Sequence, residues 1–300
     1  MKNPNKNSLR ERRKRARKKE EWRCRIRFLC LCVFAVSMMM CIMVVLSWYK
    51  QKKINEDLQA KKGEVQAISD ERDVESQSLE LEMADVLMEE EIYPPEILPE
   101  YKELYSQNED MIGWLHIDDT IIDYPVMQTV ENEDYYYHLN FYGEEDPNGC
   151  LIMDTDSVVG SGTLENNYQD GTEPSTNLII HGHTMKSGQM FGKLRLYAES
   201  EYGLEHNIIY FDTLYERRKY ELIAVFYSQV FYENEDVFKY YKFFEADTQE
   251  EFDVWYENIM KLSLYDTGVT AENGDEFITL SCCSYHVEDG RFVVVGKRVK

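Results

Sequence analysis

The sequence predicts a mostly β protein: an eight-stranded, closed and mainly antiparallel barrel with a few helices, tethered to a membrane by one N-terminal helix. The barrel rests on the residues after Pro94-Pro95, where short aromatic and β-branched runs alternate with turn residues and eight of the runs read as strands. The tether rests on residues 28–49, which hold no Asp, Glu, Lys, Arg or His; about 20 apolar residues are enough for a helix to cross a bilayer.

Ahead of the apolar segment, residues 1–27 carry 13 Lys or Arg against three acids. Only Lys50, Lys52 and Lys53 follow it closely, so the positive-inside bias expects 1–27 to be a cytoplasmic tail and everything after Lys50 to lie outside the cell. A cleavable signal would have a shorter apolar centre and small residues behind it; Trp48-Tyr49-Lys50 offers none, so a retained anchor over 28–49 is expected. The basic run reads as a topology signal that touches anionic lipid, and no nucleic-acid module is visible.

Residues 50–95 are rich in Glu, Asp, Gln, Ser and Lys, with apolar positions too irregular for a coiled coil. They read as an acidic stalk, and Pro94-Pro95 stops any helix. The main folded domain is expected over 96–300. A first helix is expected over Ile97–Ser106, then strands at Ile112–Ile117, Ile121–Met127, Cys150–Met153, Leu178–His181, Ile208–Asp212, Tyr220–Phe231, Glu276–Leu280 and Arg291–Arg298. Phe252, Trp255, Ile259 and Met260 recur at three- and four-residue steps, so Thr248–Leu262 is expected to be a helix between the sixth and seventh strands.

The whole chain has 33 basic and 56 acidic residues; without the tail 20 and 53 remain, a net charge of −33 that keeps the outer portion soluble and repels anionic polymers. Of seven cysteines, Cys24, Cys30, Cys32 and Cys41 lie in or beside the apolar span, leaving Cys150, Cys282 and Cys283 outside it. That is no disulfide framework, and two adjacent cysteines do not bridge without strain. An outward thiol needs another reason to be there.

Cys283 closes a strand-like run, Arg291 opens the next after the turn Glu288-Asp289-Gly290, and His181-Gly182-His183 sits far upstream. These residue types suit acyl transfer: a thiolate attacks a carbonyl, a permanently charged guanidinium steadies the oxyanion, and an imidazole protonates the leaving amine. A zinc site built from His181, His183, Cys282 and Cys283 lacks the paired-cysteine spacing, so no metal and no cofactor is expected.

Thr279-Leu280-Ser281-Cys282-Cys283 followed by Arg291 resembles class B sortases, the membrane-anchored cysteine transpeptidases of Gram-positive bacteria, whose motif reads Thr-Leu-x-Thr-Cys with an arginine on the neighbouring strand. Gly113-Trp114-Leu115-His116-Ile117, Ile122-Asp123-Tyr124-Pro125-Val126, Asn140-Phe141-Tyr142-Gly143, Gly182-His183-Thr184-Met185 and Ser263-Leu264-Tyr265-Asp266-Thr267-Gly268 look like the same family, from Ile97 to Lys300. The resemblance implies the sortase-type barrel, with Cys283 as nucleophile and His183 and Arg291 as its partners. Two positions depart from the family: Cys282 stands where Thr is usual, and His181 where an aromatic such as Tyr is more usual. Strand alternation sends Cys282 to the face opposite Cys283, toward the core. Ser281, Tyr285 and His181 are expected to line the substrate groove; Asp289 and the histidines at 116, 138, 206 and 286 are given no required role, and Cys150 is expected to be buried and inert.

The implied substrates are secreted proteins with a C-terminal sorting signal, a Pro-containing motif ending in Thr-Gly, Thr-Asn or similar. Cys283 would hold the cleaved protein as a thioacyl enzyme and release it to an amine. In most class B members that amine belongs to cell-wall precursor peptide. A pilin lysine is the rival acceptor, and an inactive membrane-tethered binding module or a hydrolytic cysteine peptidase is the rival class.

Overall fold

The computed structural model describes residues 4–80 and 94–299, with side chains described at 22, 23, 25–65 and 94–299; part of the stalk expected over 50–95 lies outside these. The chain divides into a unit ending at Ile54 and one running from Asn55 to Lys300. Helix α1 (Pro4–Glu80) runs through the first unit and into the second. Its apolar stretch is long enough to cross a bilayer and makes it a candidate membrane anchor, with Phe28, Leu29 and Val44 all more than 60% exposed.

In the second unit, eight strands close a barrel in the order β1-β2-β3-β4-β7-β8-β6-β5. They are β1 (Met111–His116), β2 (Asp123–Met127), β3 (Leu151–Met153), β4 (Asn177–Gly182), β5 (Ile208–Thr213), β6 (Arg217–Gln229), β7 (Phe277–Cys283) and β8 (Gly290–Arg298), each within three residues of its sequence expectation. Two of the pairings, β2–β3 and β4–β7, are parallel. A parallel pair needs a long crossover, and the chain between β4 and β7 supplies it with β5, β6 and α4.

Period-two alternation sorts the side chains. Ile278, Leu280 and Cys282 of β7 and Phe292 and Val294 of β8 point into the barrel with Leu151, Ile180 and Phe191. Phe277, Val293 and Val295 point outward, where Phe252, Trp255 and Ile259 of α4 (Gln249–Leu262) cover them. Thr248 caps α4 reciprocally with Glu251, a device worth about 1 kcal/mol. Helix α2 (Pro99–Gln107) buries Tyr101 and Leu104. From the α1 portion of this unit, Gln59 Nε2 donates to the Asp123 carbonyl at 2.9 Å, and the Lys62 ammonium stands 4.9 Å from the Trp114 ring centre. Helix α3 (Ser200–Glu205) and the 3-10 turn Tyr135–His138 were not expected, both being too short for periodicity to register.

Candidate active site

Parallel pairing of β4 with β7 sets Gly182 beside Cys282, and antiparallel pairing of β7 with β8 sets Cys283 beside Arg291. Extended by one residue, the first register places His183 level with Cys283. His183, Cys283 and Arg291 therefore form a row across three adjacent strands, on the outward side of the barrel. All three line one cavity of about 350 Å³, with Tyr137, Ser281 and Tyr240 among its other walls. Thr184 Oγ1 donates to the Cys283 carbonyl at 2.6 Å, fastening the histidine loop to the end of β7.

The Gly-His pair has a steric cause. A Cβ on Gly182 would stand 2.5 Å from Phe191 and 2.6 Å from Leu151, both inside the barrel, so only glycine lets β4 pass at this depth. A Cβ on Gly290 would meet the Ser284 carbonyl at 2.3 Å, and Asp289 before it adopts φ +51°, which makes the hairpin tight enough to bring Arg291 back to Cys283.

His183 is half-buried. Its Nε2 lies 2.8 Å from the Tyr137 carbonyl, an atom that only accepts, so Nε2 carries the proton and Nδ1 is the free nitrogen of the neutral ring. The Tyr137 ring meets it edge-on at 4.0 Å and the His138 ring lies nearly parallel to it at 5.7 Å. Burial, more than any neighbouring charge, holds the His183 pKa below the ordinary histidine value. The Tyr135–His138 turn is the part of the site not expected from sequence; His138 is exposed and stands over the His183 ring. The aromatic run Tyr135-Tyr136-Tyr137-His138 was the available signal.

The adjacent cysteines separate as alternation predicts. Cys282 is buried in the barrel interior, and burial pushes its thiol up to about 11, while Cys283 is only partly buried. Because the two thiols leave opposite faces, they do not surround one ion together with His181 and His183. Arg291 Nη1 donates to the Asp289 and Gly290 carbonyls at 3.3 and 3.2 Å, and no carboxylate pairs with it among the described residues. Ser281 lines the cavity but spends its hydroxyl on Tyr240, 2.7 Å away. Tyr285 is 79% exposed and outside the cavity lining. Cys150 is buried at the cavity wall, its thiol pushed well up by burial. His181 also faces the cavity; its Nε2 lies 3.1 Å from Asp154 Oδ2.

No protein-family model matches the sequence. Among curated proteins, sortase B of Listeria monocytogenes is 33% identical over 206 residues, 68% of this chain and 76% of that protein. Sortase B of Staphylococcus aureus is 28% identical over the same length. Among solved structures, sortase B of B. anthracis superposes with a TM-score of 0.55 at 29% identity, covering 76% of this chain and 97% of that one. With one third of its residues shared across two thirds of its length, and with the same barrel, this chain belongs to the sortase B family, and it is a cysteine transpeptidase.

Proposed function

We propose that Cys283 cleaves a C-terminal sorting signal on secreted proteins and transfers them, through a thioacyl intermediate, to an amine of the cell-wall precursor. The observation that supports this most is the row His183–Cys283–Arg291 in one cavity. Neutral His183 takes the thiol proton at Nδ1, and the thiolate adds to the carbonyl carbon of the substrate threonine. Arg291, fixed by two turn carbonyls, supplies guanidinium N–H donors to the developing oxyanion. The intermediate then collapses as the leaving amine takes the proton from His183. Release to an amine returns Cys283 as thiol. Ser281 and His181 act as cavity walls for the signal.

The anchor at 28–49, the tail at 1–27 inside and the domain at 96–300 outside put this chemistry where secreted substrates emerge. Protease added to intact cells then digests the domain and spares the first fifty residues; a soluble form beginning near Lys50 would contradict the arrangement. The central experiment is mass spectrometry of the protein with Pro-containing peptides whose motif ends in Thr-Asn or Thr-Gly. An adduct confined to Cys283 is expected, and its loss in favour of an amide product once an amine is added. Adduct on another residue, or none with any such peptide, would refute the assignment.

A further inference from the structure

We propose that His181, held by Asp154, is the base that removes the proton from the incoming amine in the second half of the reaction. The proposal rests on the reading of Cys283 as the acyl carrier. His181 occupies a position where the family more usually carries an aromatic side chain, so nothing inherited from the family assigns it this work.

The geometry starts from β4, whose outward positions include His181 and, one step past its end, His183; two residues span about 6.6 Å along a strand. Both imidazoles line the cavity of Cys283. Asp154 follows β3, its backbone N–H bonded to the Ile179 carbonyl at 2.8 Å, and its carboxylate is therefore fixed beside His181. Asp154 Oδ2 accepts from His181 Nε2, which leaves Nδ1 as the basic nitrogen. This is a histidine–carboxylate dyad in the wall of the cavity that holds Cys283, and the first half-reaction, where His183 serves, does not need it.

The charge around it suits a cation. Glu133 places a ligand oxygen within 4.8 Å of the Asp154 and His181 ligand atoms, and Asp134 and Asp156 also line the cavity. Burial and the nearby Asp154 raise the pKa of Glu133, as expected of carboxylates crowded together. Lys242 and Arg291 are the opposing charges in the same lining.

The chemistry requires a base. An aliphatic amine titrates near ~10.4, so at neutral pH only about one in 2,500 is uncharged and able to attack. His183 is committed elsewhere: once the first product leaves it is neutral, and it must take up the proton released when the attacking nitrogen becomes an amide. In the proposed step His181 Nδ1 takes one proton from the ammonium. The freed lone pair forms the C–N bond at the thioester carbon, the C–S bond breaks with its electrons on Cys283, and the second proton passes to His183 and on to the thiolate. His181 returns its proton to solvent.

The test compares the unaltered full-length protein with His181→Tyr and Asp154→Asn, using a sorting peptide as donor and either lysine amide or hydroxylamine as acceptor. Hydroxylamine is already neutral at neutral pH and needs no base. Transfer is normalised to the rate of adduct formation on Cys283, which also shows that each variant is folded. The normalised transfer to lysine amide is expected to fall at least about tenfold, toward the hundredfold or more typical of a lost general base, while transfer to hydroxylamine changes less than about twofold. Equal losses with both acceptors, or no loss with either, would overturn the proposal. Absence of any adduct on the unaltered protein would instead remove the Cys283 reading on which it stands.

Discussion

Replacing Gly182 by Ala tests whether the barrel interior, and not the loop, sets the position of His183. The added methyl would lie 2.5 and 2.8 Å from two Phe191 ring atoms and 2.6 Å from Leu151. Carbon atoms settle at about 3.5–4.0 Å, so roughly 1 Å must be found on a side where both neighbours are fully buried. Overpacking of this kind costs about 1–3 kcal/mol, and at about 2–4 °C per kcal/mol in a domain this size the melting temperature falls by roughly 2–12 °C. If β4 yields outward instead, His183 moves with it, and a displacement of about 1 Å in a catalytic group costs on the order of a hundredfold in rate. Thermal unfolding followed by tryptophan fluorescence and turnover of a sorting peptide read the two outcomes. A Gly182→Ala protein that melts within about a degree of the unaltered one and turns over at full rate would show that the strand has slack, and the steric account of the Gly-His pair would be wrong.

Cys283→Ala abolishes adduct formation, whereas Cys282→Thr, which restores the usual family residue in a buried site of similar volume, retains most of it; the reverse pattern in mass spectrometry would move the nucleophile to Cys282. Arg291→Ala lowers kcat by about a hundredfold to a thousandfold with little change in KM, and Arg291→Lys recovers only part because the ammonium lacks the planar fork; steady-state kinetics retaining most of the turnover in Arg291→Ala would rule out the oxyanion role. Burial lowers the His183 pKa, so in an NMR titration its ring protonates with a midpoint below about 6.5, and a midpoint above that value would contradict the buried setting. The same shift fixes a sign: the folded protein prefers neutral His183, so its contribution to stability is present above the unfolded-state value and is lost as pH falls through the folded one.

The strands were legible because alternation of apolar and polar residues is local, and the row of Val293, Val294 and Val295 after Arg291 announces itself. Helix α4 was legible for the same reason at a different period. The opposite facing of Cys282 and Cys283 also follows from alternation alone. Strand order did not, because periodicity says which face a residue takes and nothing about its neighbour across the ladder; the parallel pairing of β4 with β7, which sets His183 level with Cys283, is invisible in sequence. The dyad of His181 with Asp154 and the clasp of Tyr137 and His138 on His183 were hidden likewise, since each joins segments brought together only by closure of the barrel.

The bond from Thr184 to the Cys283 carbonyl joins residues 99 positions apart, and the intervening chain returns to the same ladder at both ends. Adjacent rungs thus set the spacing between His183 and Cys283. Exposed loop positions between Met185 and Glu276 that lie outside β5, β6 and the cover helix, and apart from the buried Phe191 and Tyr240, are free to lengthen or change charge without moving His183 from Cys283. Exchange of those exposed loops between relatives is therefore expected to leave the alignment of His183 with Cys283 intact.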